Sequence, residues 1–164
     1  MSKKKKKQKE KHKYSIKIVV ALPGVGKTST AQLLTVQALK RGEAVWSNMP
    51  IAGAYKIDIN EIGNYDFLTR DKNGDLRRGG LLIIDEAGIA VNSRNWQSIP
   101  KSLVEFLKLH RHFKMDVYFF SQGDDVDMTI KRLAQQWYKL VKSRIPFIGK
   151  RYAIAIPVAT FQNK

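Results

Sequence analysis

Ala21-Leu22-Pro23-Gly24-Val25-Gly26-Lys27-Thr28 has the residue types and order needed to hold a chain of phosphates. It follows the pattern G-x-x-x-x-G-K-[ST] at all but its first position. Gly24 and Gly26 permit backbone conformations that turn successive N–H groups inward as an anion nest. Lys27 adds a full positive charge near the β- and γ-phosphates, and the Thr28 hydroxyl is a hard oxygen ligand for Mg²⁺. A helix starting here would aim its positive dipole end at the same place. Pro23, Gly24, Val25, Gly26, Lys27, Thr28 and Ser29 are therefore the predicted nucleotide-binding residues. Ala21 stands where the pattern has its first glycine, which a strand end tolerates provided φ stays negative.

A second chemical feature lies downstream. Leu81 to Ala87 reads L-L-I-I-D-E-A, four apolar residues and then two carboxylates. Asp85 is expected to hold Mg²⁺ through a water, and Glu86 to act as general base on the attacking water. A D-E pair favours hydrolysis over nucleotide sensing. Strands of this kind lie beside the phosphate-loop strand in many P-loop ATPases, and that placement is expected here. The next apolar run, M-D-V-Y-F-F-S-Q, ends on Ser121 and Gln122. In a parallel sheet these reach the same edge as Asp85, where Gln122 could sense the γ-phosphate or orient water. A plain loop-starting glutamine is the alternative. Lys27, Glu86 and Gln122 form the expected catalytic set.

Other polar residues are less specific. His110 and His112 are two apart and diverge on a helix, so His110-Arg111-His112 does not read as a metal site. Arg111, Arg132 and Arg94 are candidates for an arginine finger, with Arg144 a further one. Each competes with a reading as an ordinary surface arginine. Trp96, Trp137 and Tyr138 could stack bases, or could pack in a core or interface.

These groups need elements to position them. Ile16 to Ala21 is a β-branched strand, and Thr28 to Arg41 carries Ala31, Leu34 and Ala38 at helical spacing. Leu33 and Val36 are read as widening that apolar face, and Gly42 as a helix stop. Ala44 to Trp46 reads as a short strand, Lys56 to Phe67 as holding a short helix, and Asp71 to Gly74 as a turn. Leu81 to Asp85 is a buried strand. Leu103, Phe106, Leu107 and His110 mark a helix within residues 100–113, with Pro100 near its start. Asp116 to Phe120 is a strand, Thr129 to Gln136 a helix, and Tyr138 to Val141 and Arg151 to Val158 strands joined by a turn over Pro146 to Gly149. The fold class is α/β, a three-layer P-loop sandwich. Its sheet is mainly parallel, with helices on both faces and extra C-terminal strands.

At 164 residues the chain suits one domain, residues 14–164, behind a disordered basic tail, residues 1–13. There is no cysteine, so no disulfide framework and no thiolate metal site. No apolar run is long enough for a membrane span, and no signal peptide opens the chain. Lys plus Arg total 30 against 14 acids, a formal charge of +16. The tail holds eight lysines and one glutamate, which leaves the body +9. A basic arm on a basic body suits a polyanionic partner, DNA or an anionic membrane surface. A solvated solubility tail is the competing reading.

The phosphate loop, L-I-I-D-E-A, L-K-L-H-R-H-F-K-M-D-V, the strand ending F-F-S-Q and D-V-D-M-T-I-K-R-L (Asp125 to Leu133) together resemble one family. This is the N-terminal ATPase domain of the zonula occludens toxin (Zot-like) family, which includes the gene I morphogenesis protein of filamentous bacteriophages. The resemblance spans residues 15–160. It implies an additional-strand P-loop ATPase of a phage or prophage, using ATP and Mg²⁺ to drive virion assembly, DNA packaging or DNA export. By motif match, Lys27, Thr28, Asp85 and Glu86 carry nucleotide chemistry, and Gln122 is the polar sensor at a strand end. A homo-oligomeric ring is expected, with a hexamer as one candidate, acting with DNA; phage or host envelope assembly proteins are further candidate partners. The expected location is the host cytoplasm, with the inner face of the cytoplasmic membrane as a candidate peripheral site. Filamentous-phage members usually continue into a membrane span and a periplasmic part, and neither is expected within these 164 residues. A non-motor, ATP-switched DNA-binding accessory protein is the alternative. A small-molecule kinase fits less well, with no evident acceptor pocket or arginine-rich lid.

Overall fold

The structure is a computed structural model, and it describes residues 14–65, 67–68, 79–85, 99–123, 126–144 and 151–160. Its strands are β1 (Ile16–Val20), β2 (Ala44–Ser47), β3 (Tyr55–Lys56), β4 (Gly80–Asp85), β5 (Met115–Ser121), β6 (Gln136–Arg144) and β7 (Arg151–Thr160). Its α-helices are α1 (Lys27–Lys40), α2 (Lys101–Leu109) and α3 (Met128–Leu133), with a 3-10 helix over Ile59–Asn64. The strands form one sheet in the order β3-β2-β4-β5-β1-β6-β7. Every neighbouring pair is parallel except β6 and β7, which run antiparallel.

Continuous apolar strands are what a sheet covered on both faces requires. Ile16, Ile18 and Val20 of β1 point with Leu82 and Ile84 of β4 toward α2, α3 and the 3-10 helix. Val19, Leu81 and Ile83 point the other way, toward Ala31 and Ala38 of α1. On the first side Phe106 packs edge-on against Phe67 at 5.4 Å and stacks on Phe113 at 5.6 Å. Trp46 is also buried there and satisfies its indole N–H with the Phe67 carbonyl at 2.9 Å. Such large side chains each contribute roughly 1.5–3 kcal/mol of burial.

Several expectations need correcting. The strand carrying Asp85 does not adjoin the phosphate-loop strand, because β5 lies between β4 and β1. No residue of β5 is exposed, as suits a strand at the centre of a covered sheet. On α1, Leu33 and Val36 are exposed, and the core-facing stripe runs through Ala31, Thr35 and Ala38. Thr35 is buried at no polar cost because its hydroxyl donates to the Ala31 carbonyl at 2.9 Å. The helix expected over Thr129 to Gln136 ends at Leu133. Ala134 is already extended and Gln136 opens β6. The turns expected at Asp71 to Gly74 and Pro146 to Gly149 lie outside the described residues. Among the described residues no helix is long and apolar enough to cross a membrane.

β7 forms the sheet's outer strand and carries Pro157 opposite Tyr138, next to a register shift between Trp137 and Tyr138. A proline cannot donate to a ladder, and an edge strand is where that loss is tolerated.

Candidate functional site at the carboxyl edge of the sheet

Parallel strands deliver their last residues to one edge, where open α/β sheets bind ligands. β1 ends there at Val20. Ala21 follows, buried, with its N–H donating to the Ser121 carbonyl at 2.9 Å. Its φ is not positive, so the position occupied by glycine in the usual pattern accepts a Cβ. Gly24 and Gly26 do need glycine, with φ of 74° and 111°. Between them the Val25 N–H closes a turn onto the Leu22 carbonyl at 3.2 Å. Gly26 precedes α1 in the left-handed region, and no side chain caps the helix. The first-turn amides of α1 thus have no side-chain acceptor, as an anion site at a helix start demands.

The loop walls a cavity of about 450 Å³ lined by Pro23, Gly24, Gly26, Lys27, Thr28, Ser29 and Gln122, among others. Thr28 and Ser29 are exposed in it. Val25 is not part of that lining and packs against the core on the α1 side of the sheet. The Lys27 ammonium lies 2.9 Å from both carboxylate oxygens of Asp85. The contact reaches from α1 to β4, past the end of the intervening β5. Both side chains are mostly shielded, 17% and 14% exposed. Water screens such a pair less than a surface one.

Two contributors escaped the sequence reading. Asn48, just past β2, accepts from the Asp85 N–H at 2.7 Å and donates to the Asp85 carbonyl at 2.9 Å. It fixes the backbone from which the carboxylate projects. A polar residue directly after a buried strand was the available signal. Lys142 comes from β6, which pairs with β1 and then runs on past its end. The Lys142 ammonium lies 3.8 Å from where a Cβ on Gly24 would stand. It brings a second cation to the loop.

Other expected residues fall elsewhere. Glu86, Arg94 and Trp96 lie outside the described residues. Arg144 ends β6, and only its backbone is described. Arg111 and Arg132 share a different cleft, with Ile16 at the opposite end of β1. Five residues at about 3.3 Å each put that end roughly 16 Å from the phosphate loop. Neither arginine therefore sits at its own chain's loop. Trp137 packs against the core on the α2 side, and Tyr138 against the α1 side. His112 is exposed while His110 is buried, and no metal-binding cluster occurs among the described residues.

His110 carries a pH dependence. Its Nδ1 lies 2.6 Å from the Leu107 carbonyl. Burial, reinforced by the Arg111 charge, holds its pKa below the ordinary imidazole value of 6.5, against smaller opposite pulls from the Leu107 and Tyr14 backbone and Asp116. The unfolded chain therefore takes the proton more readily. Stability is complete above pH 6.5 and falls as pH drops from there toward the lower folded value. Melting curves between pH 7.5 and 5 should show this loss, at no more than about 1.4 kcal/mol per pH unit from this group. His110→Gln should flatten the slope. A stability that rises on acidification through this window would contradict the assignment.

Residues 15–160 match the family model described as zonular occludens toxin (Zot). No curated protein matches the sequence. Among solved structures, the N-terminal domain of zonular occludens toxin from Neisseria meningitidis is similar at 16% identity. The match has a TM-score of 0.55 and covers 91% of this chain and 95% of that one. A KaiC-like protein from Pyrococcus horikoshii matches at 14% identity and a TM-score of 0.58, over 91% of this chain and 82% of that one. The genome packaging NTPase of Sulfolobus turreted icosahedral virus 2, in complex with ATP-gammaS, matches at 14% identity and a TM-score of 0.54, over 81% and 77%. The shared architecture is the P-loop NTPase fold, with its mostly parallel sheet and flanking helices.

Proposed function

Because the chain belongs to the zonular occludens toxin family, we propose that it is a Mg²⁺-dependent P-loop ATPase that powers virion assembly, DNA packaging or DNA export. The observation that carries this reading is the meeting of Lys27 and Asp85 at the uncapped start of α1, with Gln122 on the rim. That donor set fits a magnesium nucleotide. The loop amides and the ammonium groups of Lys27 and Lys142 would face the phosphates. The Thr28 hydroxyl and the Asp85 carboxylate would supply hard oxygens for the cation. Magnesium, when bound, neutralises charge on the transferring phosphoryl group.

The chain's own residues do the rest. The loop amides and α1 orient the phosphates. Lys27 exchanges its carboxylate partner for phosphate oxygens, which frees Asp85 for the cation side. Glu86, next after β4, takes the proton of the attacking water. Gln122 arrives at the loop because β5 is interposed beside β1, and it positions that water or registers the γ-phosphate. The similarity to a genome packaging NTPase supports work on a nucleic acid, and a homo-oligomeric ring is part of the same proposal. The net charge of +16 supports a polyanionic partner.

The test is phosphate release from Mg-ATP by the full chain, with and without single- or double-stranded DNA. Turnover should require Mg²⁺ and rise several-fold with DNA. Turnover that is measurable but indifferent to DNA would favour the non-motor switch. No hydrolysis under any condition would remove the enzymatic reading.

A further inference from the structure

β6 outruns the strand it pairs with. Its last partner on β1 is Val20, opposite Lys139. β6 then continues to Arg144, still laddered to β7, with Lys142 opposite Ala153. Three residues at about 3.3 Å each carry Lys142 roughly 10 Å past the Val20 pairing. The phosphate loop leaves β1 at that same edge. Alternation fixes the side of the sheet. Tyr138 and Leu140 pack on the α1 side, in one cluster with Val19 and Ala21, and Lys142 is the next residue in that period-two series. Its ammonium accordingly meets the loop, 3.8 Å from where a Cβ on Gly24 would stand.

Strand order decides which end of a nucleotide this cation meets. Asp85 ends β4 and Gln122 follows β5, and both strands lie on one side of β1. Lys27 leans the same way, to Asp85 at 2.9 Å. These groups serve the cation and the γ-phosphate in the proposed chemistry. β6 lies on the opposite side of β1. A phosphate chain anchored at the start of α1, with its γ end toward β4 and β5, therefore presents its α-phosphate and ribose toward β6. Charge favours the same placement. Two ammonium groups flank the loop, and the only ion pair they make among the described residues is that of Lys27 with Asp85. A phosphate beside Lys142 relieves the remaining positive charge.

We propose that Lys142 is a nucleotide-binding residue that holds the α-phosphate, and that the extension of β6 walls the nucleoside end of the site. A lysine ammonium is a compact point charge on a flexible stem, suited to a phosphate approached from one side. The assignment deepens the nucleotide reading above and rests on it. The α-phosphate is common to nucleoside tri- and diphosphates, so Lys142 adds affinity without telling them apart. That discrimination falls to the groups on the β4 and β5 side.

The experiment is isothermal titration of the full chain with ATP and with ADP, each with Mg²⁺, alongside steady-state phosphate release from ATP. Lys142→Ala should lose about tenfold in affinity for both nucleotides, the worth of one charge-assisted hydrogen bond. The ratio of the two affinities should stay as in the parent chain. KM for ATP should rise by a similar factor with little change in kcat, as loss of uniform binding predicts. Lys142→Met keeps the stem and should match the alanine variant, while Lys142→Arg should restore most of the affinity. Lys142 is exposed, so folding should survive, and circular dichroism checks it.

Unchanged affinity for both nucleotides in the alanine and methionine variants would overturn the assignment while leaving the nucleotide reading intact. A loss confined to ATP would put the ammonium at the γ-phosphate and overturn its place at the nucleoside end. So would a fall in kcat with affinity preserved. A loss in Lys142→Ala that Lys142→Met escapes would credit the stem rather than the charge, and would overturn the phosphate contact. A parent chain that binds neither nucleotide would sink the underlying reading, a failure visible before any variant is compared.

Discussion

Lys27→Ala should weaken Mg-ATP binding at least 100-fold and abolish measurable turnover. Lys27 is the cation of the loop itself, and no neighbouring loop residue can replace it. Its removal has a second effect, because Asp85 loses a bidentate ammonium partner at 2.9 Å. The pair is mostly shielded, so the variant should also lose on the order of 1 kcal/mol of stability. The two effects separate in a double variant. Lys27→Ala with Asp85→Asn should recover the stability by removing the uncompensated charge, yet still fail to bind nucleotide. Isothermal titration with Mg-ATP and parallel melting curves read both quantities. Near-normal ATP affinity in the single variant would take the loop out of the proposed chemistry altogether.

Glu86→Gln should behave differently, binding ATP about as well as the parent chain while hydrolysing it at least tenfold more slowly. General-base catalysis typically contributes about 10²–10⁴-fold, and glutamine keeps the shape of glutamate without its basicity. Glu86 directly follows Asp85, the last residue of β4, so on the proposed reading the two acids would share one short stretch of chain with separate tasks. Asp85→Ala should accordingly lose magnesium dependence and affinity together, while Glu86→Gln loses mainly rate. Single-turnover measurements at saturating ATP make the distinction. Equal rates for parent and Glu86→Gln would leave the base unidentified.

The local parts of this site were legible in the sequence because local rules fix them. A β-branched strand, two glycines that must adopt positive φ, G-K-T and an amphipathic helix agree without reference to the rest of the chain. The buried strand ending in Asp85 was legible for the same reason. Strand order was not, since the long apolar runs of β4 and β5 look alike and only packing decides which lies beside β1. The face of α1 was partly misread because hydrophobicity favours Leu33 and Val36 over Thr35. Thr35 can satisfy its hydroxyl within the helix, which periodicity counts do not register. Lys142 was invisible and Asn48 only hinted at, because each acts across a strand pairing, β1 with β6 and β2 with β4. The shared cleft of Arg111 and Arg132 likewise exists only once α2, β1 and α3 converge.

The contact between Lys27 and Asp85 also bears on how an anion would enter the loop. A tethered carboxylate already sits against the ammonium, so a ligand that claims Lys27 must displace an internal rival. On the proposed reading, a triphosphate that engages amides, hydroxyl and ammonium together should win that exchange more readily than a lone inorganic phosphate.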